Sequence, residues 1–320
     1  MQSLRTESQK AEQAKGTSPK AASSKGTKSK GKGFEAVMHG VFLACGLLTI
    51  GFVLLITVYL VVSGIPAIHR IGFFKFMFGT KWASTAAEPS FGILPFILTS
   101  IYGTAGAMLL GIPLGFFTAV YISKFAPKAV RNVLMGAVEL LAGIPSVVYG
   151  LVGMLVIVPG IRTVFGLPDG ASLLAAIIVL SIMVLPSIVK VSVNALAAVP
   201  REYEDASLAL GANEVETAFR VAVPAARSGI AASVVMGVGR AIGEAMAVMM
   251  VSGNVANMPL LSKGGLFESV RFLTTAVASE MAYSAGLQRQ ALFSIALVLY
   301  LFILLVNAIL NSILKKGGGK

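Results

Sequence analysis

Runs of apolar residues, each longer than about 18 and almost free of charge, recur along this chain, and each such run is long enough to cross a bilayer as a helix. Six are expected, at about 37–62, 93–122, 133–158, 172–199, 228–252 and 290–314. The first should close on a turn at Ser63, Gly64, Ile65 and Pro66. Gly111 and Pro113 interrupt the second, Pro145 falls in the third and Pro186 in the fourth. Such breaks are tolerated where neighbouring helices re-satisfy the freed backbone groups. Only 12% of residues are charged and 56% are hydrophobic, whereas a soluble domain carries about 25% charged residues. One soluble core could not hide this many separate runs. The fold class is therefore all-α, a polytopic membrane protein with six transmembrane helices.

The net charge of +12 is concentrated at one end. Residues 1–33 hold eight of the 26 Lys and Arg, spaced by Ser, Thr, Gly and Ala. That composition reads as a disordered tail. It has no interleaved aromatic residue for base stacking, which argues against nucleic acid. Its expected role is to hold the N-terminus inside and to touch anionic membrane lipid. With the N-terminus inside, Lys124, Lys128 and Arg131 fall on an inside connection, as do Lys315, Lys316 and Lys320. Residues 1–36 thus read as a basic cytoplasmic tail, and 37–92 as the first span plus an external interfacial segment rich in Phe around Trp82. Residues 93–314 form the transmembrane domain, and 315–320 a second cytoplasmic tail. The single Cys45 excludes an intrachain disulfide, and His39 and His69 are too far apart in sequence to suggest a metal site.

The connection at 200–227 is unusual: long, polar and helix-prone. Pro200 suits a helix start, Glu202, Glu204 and Asp205 complement the dipole there, and Gly211 can end the helix. Order in a loop suggests that something binds it, although a helical surface loop is the plainer reading.

Asp205, Ala206, Ser207, then Gly211, then Val221, Val223 and Pro224 follow the spacing of the cytoplasmic EAA loop of ABC importer permeases. Asp205 stands for the usual Glu, Ser207 for Ala, and the two valines for Ile and Leu. The stretches 139–150, ELLAGIPSVVYG, and 239–248, GRAIGEAMAV, resemble the C-type permease subunit of the phosphate-specific transport system. The resemblance covers about 37–314. It implies a type I ABC importer permease (MetI-like) architecture that carries inorganic phosphate across the cytoplasmic membrane. It further implies a heterodimer with a second homologous permease, two ATPase subunits, and an external phosphate-binding protein. Glu204, Asp205, Ala206, Ser207, Gly211 and Pro224 become the ATPase-coupling positions. The chain would be no enzyme and would bind no cofactor of its own, ATP being used by the partner ATPase.

Arg240 and Glu244 fall midway along the fifth run, where a charge costs several kcal/mol and is functional by default. On a continuous helix their i,i+4 spacing puts both on one face. Two roles fit: an ion pair that locks the bundle, or a polar lining in which Arg240 grips a phosphate bidentately. The resemblance favours the second. Gly237, Gly239 and Gly243 leave room for a helix or ligand to approach. Glu139 is expected to snorkel to water from the third run. Ser146, Tyr149, Ser181, Ser187, Ser192 and Asn194 either line a path or bond between helices, the commoner use.

Gly26, Gly31 and Lys32 have P-loop spacing, but Gly33 replaces the required Ser or Thr and no strand precedes it. An ATPase must therefore come from another polypeptide. The alternatives are an ABC permease for sulfate, molybdate or a phosphonate, an ATP-independent secondary transporter, for which inverted repeats would be expected, or a scaffold without transport.

Overall fold

The structure is a computed structural model and describes residues 31–259 and 264–317. The tail of residues 1–30, including Gly26 of the P-loop-like spacing, lies outside them, as do 318–320. The chain divides into two compact units, Met1–Ile56 and Thr57–Lys320, with the boundary inside helix α1 (Gly31–Ile71). In the first unit α1 is apolar all round and exposed throughout Val41–Ile56, the character of a membrane span.

In the second unit α1 continues to Ile71 instead of turning at Pro66. Gly64 serves close packing here: a Cβ on it would come within 3.1 Å of the Phe293 carbonyl oxygen. Ser294 donates to the Gly64 carbonyl at 2.6 Å. Helix α2 (Phe73–Phe78) follows, then a hairpin of β1 (Trp82–Ala83) and β2 (Ser90–Phe91), with Trp82 opposite Phe91. Phe76 is buried, while Phe73, Phe74 and Phe78 are exposed, so the expected interfacial segment begins after Ile71.

The remaining elements are α3 (Leu94–Val120, extended by a π turn to Phe125), α4 (Lys128–Gly143), and α5 and α6, which with an intervening π turn span Ser146–Phe165. Then come α7 (Leu173–Ala197), α8 (Arg201–Ala209), α9 (Glu214–Thr217), α10 (Val223–Ala225), α11 (Arg227–Gly243), α12 (Met246–Val251), α13 (Leu273–Glu280) and α14 (Gly286–Gly317).

Among the described residues five helices are long and apolar enough to cross a membrane. A sixth candidate is the pair Glu214–Ala225 and Arg227–Gly243, bent by 72°. The expected third span, 133–158, is wrong in its start. Ile144 is extended (φ −70°, ψ 128°) because the Pro145 ring disfavours the helical region for the residue before it. The apolar residues before the break belong to amphipathic α4: Leu134, Met135 and Val138 pack on Ala119, Ile122, Val189 and Val193.

Helix α7 is the centre of the second unit. Gly106, Gly111 and Gly115 of α3 face it; a Cβ on them would meet Ile177, Val184 and Ile188 at 2.6, 2.8 and 2.8 Å. Small residues let membrane helices approach this closely. The Ser172 hydroxyl caps α7 by accepting from the Ala175 amide at 3.3 Å. The Ser172 and Leu173 amides bond to the Val251 and Glu268 carbonyls, each at 3.0 Å. At the other end Lys124 donates to the Leu196 carbonyl at 3.1 Å.

Candidate coupling and translocation sites

The connection between α7 and α11 is ordered by its own sequence. Pro200 precedes α8, and Glu202 and Glu204 stand in its first turn. Gly211 has φ +88°. Its amide bonds to the Leu208 carbonyl at 3.0 Å, and the Ala212 amide to the Ser207 carbonyl at 3.2 Å. That pair of bonds is a Schellman motif, which needs a residue able to adopt the left-handed conformation. Asn213 then starts α9 with a capping box: its side chain accepts from the Glu216 amide at 2.8 Å, and Glu216 accepts from the Asn213 amide at 3.3 Å.

The coupling positions divide into two groups. Glu204 is turned inward and forms an ion pair with Lys124, both side chains mostly buried. Ser207 shares a 3.0 Å hydrogen bond with Thr217, tying α8 to α9. Asp205, Ala206, Gly211 and Pro224 are exposed. So are Tyr203, Leu208, Val215 and Leu210, the last 90% accessible. Asp205, Lys124, Arg131 and Arg201 line a cavity of about 330 Å³. The basic connection 123–132 and the 200–227 loop therefore meet at one end of the unit. Sequence reasoning used Lys124 only as an orientation signal and missed that it holds both Glu204 and the end of α7.

The second cluster lies where the fifth apolar run breaks. Helix α11 ends at Gly243, and Glu244 is extended (φ −74°, ψ 129°). The expectation that Arg240 and Glu244 share one helical face does not hold, and they form no ion pair among the described residues. Glu244 Oε1 instead accepts from the Ala247 amide at 3.0 Å, satisfying a free donor at the start of α12. Its carbonyl accepts from Thr274 Oγ1 at 2.8 Å. Arg240 Nη1 donates to Ser187 Oγ at 3.2 Å. The Tyr149 hydroxyl donates to the Leu141 carbonyl at 2.7 Å. Arg240 and Glu244 are each half-buried.

Gly237 is the glycine that receives a helix, since a Cβ there would meet Ile188 and Met108 at 3.1–3.2 Å. Gly239 and Gly243 face open space. Ser192 and Ser233 bond to each other at 2.9 Å between α7 and α11, and Ser181 bonds back to Ile178 at 2.7 Å. Ser192 and Ser233 join two helices, Ser181 bonds within its own, and Ser187 serves Arg240. Asn194 is exposed. Glu139 lies on α4, 3.8 Å from Lys190, with both side chains at least half exposed.

A third polar cluster was not anticipated. Glu280 pairs with Arg271 and accepts from Trp82 Nε1 at 3.2 Å, Ser84 at 3.3 Å and Gln288 at 3.1 Å. It joins the hairpin to α13 and α14. Residues of the 63–92 and 253–289 segments thus meet each other.

The sequence matches the family of binding-protein-dependent transport system inner membrane components over residues 111–316. The chain belongs to this family. It is 38% identical to the probable ABC transporter permease protein YqgH of Bacillus subtilis (strain 168), over 82% of this chain and 87% of that protein. It is 31% identical to the phosphate transport system permease protein PstC of Haemophilus influenzae, over 84% of this chain and 91% of that protein. A bacterial alginate ABC transporter chain has the same fold at 16% identity, with a TM-score of 0.57 over 88% of this chain and 95% of that one. A chain of the inward-facing MetNI methionine ABC transporter gives 0.55 at 17% identity, over 70% and 97%. The MetI-like permease architecture and the multi-pass membrane character expected from the sequence are those of the family.

Proposed function

We propose that the chain is a permease subunit of an ATP-driven importer of inorganic phosphate. The similarity to proteins named phosphate transport system permease, about 30% identical over most of their length, carries this reading. The exposed apolar surface of α8 and α9 supports it, because an ordered loop that leaves Tyr203, Leu208, Leu210 and Val215 uncovered fits a cleft on another protein. That protein would be an ATPase subunit, present in two copies. The exposed Met236 and Gly243 of α11 and Met246 of α12 suit contact with a second, homologous permease. An external phosphate-binding protein would deliver the anion, and both termini would be cytoplasmic.

In this reading Arg240 meets the anion. A guanidinium presents paired N–H donors that match two phosphate oxygens. Ser187 orients it without neutralising it, and Glu244, not paired with it, leaves the positive charge available. The test is copurification with an ATPase and a second permease, followed by reconstitution in liposomes with the binding protein. Phosphate-stimulated ATP hydrolysis coupled to uptake is the expected result. Stimulation by sulfate or molybdate alone would move the substrate to another oxyanion, and uptake without any ATPase would reject the importer reading.

A further inference from the structure

We propose that the junction between α1, α2 and the hairpin is a binding site for the phosphate headgroup of an anionic phospholipid. Arg70 at the end of α1, Lys75 on α2 and Lys81 before β1 line one cavity of about 610 Å³. Thr80 and Ser90 add hydroxyls to the same wall, and no carboxylate lines it. All three cationic side chains are exposed, and none forms an ion pair or hydrogen bond among the described residues. Three converging cations without an acidic partner are a complement for a phosphate, whose charge-assisted hydrogen bonds are about twice as strong as neutral ones.

The surroundings select a lipid as the carrier of that phosphate. Lys75 sits within the run Phe73, Phe74, Lys75, Phe76, Met77, Phe78. Phe76 anchors α2 in the core, while Phe74 is 77% accessible and stacks on exposed Phe78. A short helix with exposed aromatic rings and a lysine belongs at the headgroup boundary, rings in the acyl region and ammonium at phosphate level. The cavity is also preformed. Gly79 and Gly92 cross so closely that a Cβ on Gly79 would lie 2.8 Å from the Gly92 Cα. The Ile93 amide is fixed to the Phe76 carbonyl at 2.9 Å. These contacts hold Lys75 and Lys81 on one rim independently of any ligand.

The permease assembly in neutral detergent can be titrated with dioleoyl-phosphatidylglycerol or dioleoyl-phosphatidylcholine, and bound lipid counted by native mass spectrometry. Tighter phosphatidylglycerol binding is expected, weakened about fivefold for each cation neutralised in Arg70→Gln, Lys75→Gln and Lys81→Gln, the effect of one basic residue near an anionic surface. Lys75→Arg with Lys81→Arg should keep the preference, which separates charge from folding. Equal binding of the two lipids by the unaltered assembly would overturn the proposal. So would a preference untouched by the Gln changes, or saturation by inorganic phosphate with no lipid preference. Weakened capture of the external binding protein at unchanged lipid preference would give the patch to a protein partner instead. None of these readouts depends on uptake or on the identity of the transported anion.

Discussion

Arg240 of α11 reaches across to Ser187 of α7 at 3.2 Å, while Glu244, four residues on, gives its carboxylate to the Ala247 amide. Opposite charges that sequence spacing would pair are separated by the break at Gly243. Their losses should therefore differ in kind.

Arg240→Gln should assemble and lose phosphate uptake at least tenfold, an effect of about 1.4 kcal/mol or more in transport free energy. Glu244→Gln keeps an oxygen for the Ala247 amide and should assemble normally, whereas Glu244→Leu should cost about 1 kcal/mol of stability, the usual loss of a helix cap. The double change Arg240→Gln with Glu244→Gln should assemble yet remain inactive. Full uptake by that variant, measured with radiolabelled phosphate in cells, would remove both residues from the path.

Gly211 has φ +88° and open space beyond its Cα. A leucine there meets no clash but pays about 1–2 kcal/mol for the left-handed backbone. Gly211→Leu should therefore loosen the end of α8 and uncouple ATP hydrolysis from uptake, while Gly211→Asn, which tolerates this conformation, should retain most coupling. Parallel ATPase and uptake assays on the two variants decide the point.

Lys124 holds Glu204 and the last turn of α7 together. Lys124→Met leaves a mostly buried carboxylate unpaired, at a cost of about 1–3 kcal/mol. Amides of 201–209 should then exchange hydrogen faster. The exchange Lys124→Glu with Glu204→Lys should restore part of the protection. If protection in Lys124→Met matches the parent, the tie has no structural weight.

Sidedness can be read in intact cells with an impermeant thiol reagent in a Cys45→Ala background. A cysteine at Glu88 should label without lysis, and cysteines at Pro127 and Tyr203 only after it. Labelling at Pro127 in intact cells would invert the topology.

Much of this architecture was legible because membrane spans are written in composition. The apolar runs at 93–122 and 172–199 fall on α3 and α7 within a few residues. The Asp205 to Gly211 spacing marked α8 and its glycine stop correctly. What failed were decisions between tolerating and breaking at proline and glycine. Pro66 lies inside a helix where a turn was expected, and Pro145 ends one where a span was expected, while Pro186 lies inside its helix as expected. The difference is whether neighbours hold the preceding residue helical, which one-dimensional pattern does not record. Glu244 misled for a related reason: a carboxylate that caps a restart looks, by spacing, like the partner of an arginine one turn back. Lys124 was invisible as a hub because Leu196 and Glu204 are 72 and 80 residues away, and Glu280 because Trp82 and Ser84 are 198 and 196 residues away.

Helix α7, with 25 residues, is about 37 Å long. One end is bonded to the Val251 and Glu268 carbonyls and the other leads within four residues into α8. It is a strut between the loop proposed to meet an ATPase and the opposite end of the unit. Pro186 removes one rung from its hydrogen-bond ladder, so compliance concentrates there. The next residue is Ser187. Flexing at Pro186 would therefore act first on the side chain that bonds Arg240, which ties the most compliant point of the strut to the guanidinium.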